Sequence, residues 1–141
     1  MKHFIPLAVA ACILFGYQTF AQSNNDLINK AKAEMKANEH DGALATLKMA
    51  MKGNPNSTEL LMMRGDVYMA QLNFKKAVSD YQLVIRLDSQ NAEAHFKAGN
   101  IFYEEGAKEH SSEKTARGCT YFKKAKELGS KRAASMLLKC P

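Results

Sequence analysis

The sequence predicts an all-α solenoid of three helix pairs followed by a capping helix, and three observations carry that prediction. The first is a period of 34 residues. It takes Leu27 to Leu61 to His95, Ala31 to Gly65 to Gly99, Tyr68 to Phe102, Ala43 to Ala77, Leu47 to Tyr81 and Ala50 to Val84. The second is that each unit holds two blocks of apolar residues at helical spacing with a short polar turn between them, the pattern of two antiparallel helices sharing one apolar face. The third is recurrent turn chemistry: Asn54-Pro55-Asn56 falls 34 residues before Asp88-Ser89-Gln90, so successive units end on residues that stop a helix.

The units are read as residues 24–57, 58–91 and 92–129. The second shows the pattern best. Leu61, Gly65 and Tyr68 mark its first helix, Leu72-Asn73-Phe74 its turn, and Ala77, Tyr81, Val84 and Leu87 its second helix. Small residues at 65 and 77 matter because helices about 8–10 Å apart need a position with little side chain where they cross. The first unit departs in having Glu34 where the others have Tyr68 and Phe102. In the third, Gly118 lies 19 residues after Gly99, whereas Ala77 lies 12 after Gly65, so seven residues have been inserted. They fall between Gly106 and Arg117, where Ser111-Ser112 before Glu113 resembles a helix N-cap with an acidic first turn. The expectation is a loop, then a second helix starting early, near Glu113. Gly129 and Ser130 end that helix, and a last helix over 131–140 caps the stack.

Leu61, Gly65, Tyr68, Ala77, Tyr81 and Val84 resemble the signature small and large positions of the tetratricopeptide repeat. The resemblance spans nearly all of the chain after residue 23. It implies a solenoid whose concave face, lined by the first helix of each unit, binds a peptide or partner protein. The residues it places there are Ile28, Lys32 and Met35 in the first unit, Met62, Met63, Asp66 and Met69 in the second, and Phe96, Lys97, Asn100 and Tyr103 in the third. Methionine is concentrated at the centre of this face, and its flexible thioether suits a groove for apolar side chains. Met62 and Met63 fit gap-filling between helices equally well. The family's clamp for a C-terminal carboxylate is not matched, because Ile28, Lys32, Met63, Glu93 and Lys97 occupy its places.

The first 21 residues form a separate object. Lys2 and His3 precede an apolar run from Phe4 to Phe15, and Thr19-Phe20-Ala21 offers small residues where a signal peptidase reads. The reading is a signal peptide over 1–21, a mature chain starting at Gln22, and a periplasmic, envelope or secreted protein of bacterial style. A lipoprotein signal is the rival, since Val9-Ala10-Ala11-Cys12 resembles a lipobox, and lipidation at Cys12 would place the protein on a membrane surface. The run is shorter than the ~20 residues that cross a bilayer.

Removal of Cys12 leaves two cysteines for an oxidising compartment. Cys119 and Cys140 lie symmetrically about the Gly129-Ser130 turn, so two antiparallel helices bring them level and a disulfide is expected. Two unpaired small residues are the alternative.

At 141 residues, with 46% hydrophobic content, the chain makes one small domain whose core is built by stacking repeats. Its charge is uneven. Nine Lys or Arg against four acids follow Glu104, which gives the C-terminal end a surplus of five within a total of +6, while 22–104 is neutral. That end suits an acidic partner or anionic headgroups, or a solvated helix surface. No aromatic stacking platforms interleave these lysines as single-stranded nucleic acid binding requires. The four histidines lack metal-ligand spacing: His40 is placed in a turn and His95 at a packing position. Met49, Met51, Met62, Met63 and Met69 name a soft Cu(I) site only as a remote reading. Neither a nucleophile beside a base nor a glycine-rich phosphate loop is present, so the reading is a non-enzyme without cofactor or metal. The functional expectation is an exported interaction module. Its alternative is a structural subunit of an envelope assembly that packs through its ends and basic C-terminal helices.

Overall fold

The computed structural model describes residues 24–141; the proposed signal segment and Cys12 lie outside the described residues. The described residues form seven α-helices and no strand: α1 (24–36), α2 (His40–Met51), α3 (Thr58–Ala70), α4 (Phe74–Leu87), α5 (Ala92–Lys108), α6 (Ser112–Glu127) and α7 (Lys131–Leu137). None of them is long and apolar enough to cross a membrane. The chain divides into two compact units, one ending at Gly53 and one running from Asn54 to Pro141.

The first unit contains α1 and α2, with Ala31, Ala43, Leu47 and Ala50 buried. His40 opens α2 rather than sitting in the turn, because the α1–α2 turn is only three residues long. In the second unit α3 pairs with α4, α5 with α6, and α7 closes the array on α6. The apolar residues of the 34-residue period form its core: Leu61, Ala77, Tyr81 and Val84 are buried, and Ala98 and Ile101 join Tyr81 across α4 and α5.

One local device builds the short turns. Asn38, Leu72, His110 and Gly129 each adopt the left-handed conformation, and the residue after each donates its N–H to the carbonyl five positions back: Glu39 to Glu34, Asn73 to Tyr68, Ser111 to Gly106, Ser130 to Ala125. This is a Schellman closure, which satisfies the last carbonyls of the helix. Asn73, Ser111 and Ser130 then act as N-caps, their side chains accepting from the N–H groups of Lys76, Lys114 and Ala133. A helix end and the next helix start thus share one residue, and the chain reverses in three.

The seven inserted residues are not a loop. By the 34-residue register, α5 runs four residues beyond the end of α3, and α6 starts three residues earlier relative to Gly118 than α4 does relative to Ala77. The turn between them keeps its three residues, so the insertion lengthens the hairpin by about one helical turn per arm. Glycines permit the close approach along its length. A Cβ on Gly99 would fall 3.0 Å from the Gly118 carbonyl oxygen, one on Gly118 would fall 2.6 Å from the Tyr103 nitrogen, and one on Gly106 would fall 2.5 Å from the Thr115 nitrogen. Helix α7 ends at Leu137, short of the expected 140, in a turn that leads to Cys140. Cys140 is bonded to Cys119 of α6, with Cα atoms 6.0 Å apart.

Candidate functional site

The first helices of the second unit, α3, α5 and α7, carry a chain of charges built on Asp66. Its Oδ1 accepts from Tyr81 Oη at 2.7 Å and from Lys97 Nζ at 2.5 Å. Lys97 also lies 3.7 Å from Glu93, one helical turn back, and Glu93 accepts from Arg132 on α7. Cations and carboxylates therefore alternate from α3 across α5 to α7. Asp66 and Lys97 remain about one-third and one-quarter exposed, so the pair is partly screened and contributes modestly to stability. Burial and the bond to Asp66 push the Tyr81 phenol well above its ordinary range, so it stays a donor. Behind this row, Arg64 binds Asp80 through two bonds of 2.8 and 2.6 Å, tying α3 to α4. That hydrogen-bonded pairing raises the Arg64 guanidinium further despite its burial.

The apolar residues expected on the same face divide by environment. Met63 is 8% exposed and belongs to the core. Met62 and Met69 are half-buried against Ala77, Tyr81, Ala98 and Ile101. Phe96 and Tyr103 pack around Phe122, with centroids 5.7 and 5.8 Å away, beside Met136, Leu137 and Cys140. The Arg132 guanidinium covers the Phe96 ring at 4.5 Å, and Tyr103 Oη donates to the Lys139 carbonyl at 3.1 Å. Both aromatics therefore seat α7. Ile28, Lys32 and Met35 lie on α1 in the other unit, the first and last half-buried and Lys32 exposed.

Met69 and Asn100 do come together. They line one cleft of about 560 Å³ with Phe74, Ile101, Glu104 and Lys108. Apolar side chains make its floor, and Glu104 and Lys108 stand at its rim. The α5 extension supplies part of the wall through Glu105, Ala107 and Lys108. Phe74, Ile101, Glu104 and Lys108 were not expected from sequence. The available signal was the seven-residue insertion, which the Gly106 and Ser111-Ser112 pattern disguised as a loop.

A family model described as TPR repeat matches residues 65–106, the segment from Gly65 through α4 to Gly106. Over that segment the chain is similar to the tetratricopeptide repeat. Solved structures with the same fold agree. The first TPR of Spaghetti (RPAP3), bound to the HSP90 peptide SRMEEVD, is 21% identical with a TM-score of 0.69, over 84% of this chain and 90% of that one. The Sgt2 TPR domain from Aspergillus fumigatus is 20% identical with a TM-score of 0.63, over 83% and 76%. An O-GlcNAc transferase from Thermobaculum terrenum is 22% identical with a TM-score of 0.69, over 84% of this chain but 22% of that one. Comparison with curated proteins finds no match. These identities speak to the fold alone.

Proposed function

We propose that this repeat protein is an exported interaction module that holds an apolar segment of a partner protein in the cleft bounded by Met69, Phe74, Asn100 and Glu104. The cleft is the observation that carries the reading. It joins two of the residues expected on the binding face, it offers an apolar floor to a side chain, and Asn100 supplies both donor and acceptor to a peptide backbone at its edge. The peptide held by the Spaghetti domain gives a precedent for the scaffold. A carboxylate clamp of the kind excluded by sequence gains no support, since Met63 is buried and Lys97 is engaged by Asp66 and Glu93. The basic C-terminal end is a weaker contact surface, because Lys114, Lys124 and Arg132 already have carboxylates within the chain. A binding role without a reaction of its own completes the reading.

Export through residues 1–21, to the periplasm, envelope or medium, is part of the proposal, supported by the apolar run and by the disulfide. N-terminal sequencing of protein from its own cells tests it: a start at Gln22 is expected, and an intact Met1 overturns export. A diacylated Cys12 would convert the reading to a membrane-anchored module. For binding, the full chain and its Met69→Asp variant are isolated from those cells with whatever they hold. Loss of a stoichiometric partner in the variant, with helicity unchanged, is expected; equal recovery contradicts the cleft.

A further inference from the structure

A second hollow, of about 580 Å³, runs along α6 and shares no residue with the cleft. His95 at the start of α5 lines it, with Arg117, Thr120, Tyr121 and Lys124 of α6, whose spacing sets them in one stripe. No carboxylate is in that lining. Tyr121 and His95 are the rings of its wall, with centroids 6.0 Å apart, and Phe102, which lines the neighbouring hollow, stacks on Tyr121 at 5.7 Å with planes 7° from parallel. Gln82 Nε2 donates to Tyr121 Oη at 3.0 Å and holds that ring from α4.

Cations stand at both ends. The Arg117 guanidinium lies 4.1 Å from the Phe102 centroid, and a guanidinium resting on an arene keeps its in-plane N–H groups available to an anion. Lys124 lies two helical turns along, about 10 Å away, and its acid neighbour Glu127 is 3.6 Å off and exposed. The Thr120 hydroxyl donates to the Ala116 carbonyl at 3.0 Å, so anion recognition falls to the two cations. The positive surplus of the C-terminal end draws anions toward this stripe.

We propose that this hollow is a binding site for a small organic phosphate with a flat apolar body. The body rests against Tyr121 and the phosphate is held by Arg117, with Lys124 adding charge. An inorganic anion would use the cations and leave the rings idle; a neutral arene would do the reverse. The pairing of both features in one hollow selects a ligand that has both.

Calorimetric titration of the full chain with phenyl phosphate, and separately with inorganic phosphate, tests this. Saturable binding of phenyl phosphate is expected, about tenfold tighter than inorganic phosphate and weakened about tenfold by Arg117→Gln, the scale of one charged hydrogen bond. Arg117→Lys, which keeps the charge but not the fork, is expected to fall between. Lys123→Gln, off the stripe, is expected to bind as the parent does. The proposal is overturned by an absence of saturable binding, by equal affinity for the two probes, or by unchanged affinity in an Arg117→Gln, Lys124→Gln double variant that circular dichroism shows to be folded.

Discussion

Leu72 is 73% exposed and holds a left-handed conformation, φ 58°, at the turn between α3 and α4. The equivalent closure after α6 uses Gly129, which bears no Cβ penalty there, whereas a leucine is strained by it. Leu72→Gly is therefore expected to stabilise the protein by about 0.5–1 kcal/mol in urea unfolding, the relief of strain outweighing the entropy glycine adds to the unfolded chain. Tyr81 sets a different residue-scale expectation. Its folded pKa is raised, so its contribution is intact below the unfolded value near 10 and is lost as pH climbs above it, when only the unfolded chain ionises. Urea stability should fall more steeply above pH ~10 in the parent than in Tyr81→Phe. At neutral pH the variant should be weaker by about 1 kcal/mol for the missing bond to Asp66.

At the scale of the element, the α5–α6 hairpin shows what a repeat pattern reveals and what it hides. Gly65, Ala77, Gly99 and Gly118 mark helix crossings; the first three were legible because a 34-residue register aligns them with other small residues, and Gly118 as the equivalent small residue displaced by the seven inserted positions. Gly106 was not, since glycine before two serines has the composition of a loop. In the folded hairpin it is a further crossing, buried against Thr115, and the reversal comes at His110-Ser111. Gly106→Ala is expected to destabilise by about 1–3 kcal/mol, because its Cβ would meet main-chain atoms that cannot give way. Denaturant midpoints measure this directly. An unaltered midpoint would mean that the extension frays. Phe96 and Tyr103 were placed on the right helix, but their exposure depends on how α7 docks, which helical spacing does not encode. The level placement of Cys119 and Cys140 was legible, because it needs only a tight antiparallel turn. The cleft was not, because its wall is the extension itself.

For the whole molecule, the disulfide and the cleft belong to the same unit, Asn54–Pro141, and serve different ends of it. A seven-residue helix such as α7 is too short to persist alone, so its position depends on Phe96, Phe122, Arg132 and the Cys119–Cys140 bond. Reduction is expected to cost about 3 kcal/mol of stability, on the chain-entropy account of a loop of this length. Hydrogen exchange should show faster opening in α7 and the facing turns of α5 and α6, with α1 and α2 unaffected. The central claim, that partners are held at the cleft, is tested most directly by placing a photo-activated cross-linking residue at Asn100 or, for comparison, at Lys123 in the full chain within its own cells. The account predicts a discrete protein adduct from position 100 that disappears when Met69→Asp is added, and none from position 123. Adducts from position 123 alone would contradict it and move the contact surface to the basic C-terminal helices.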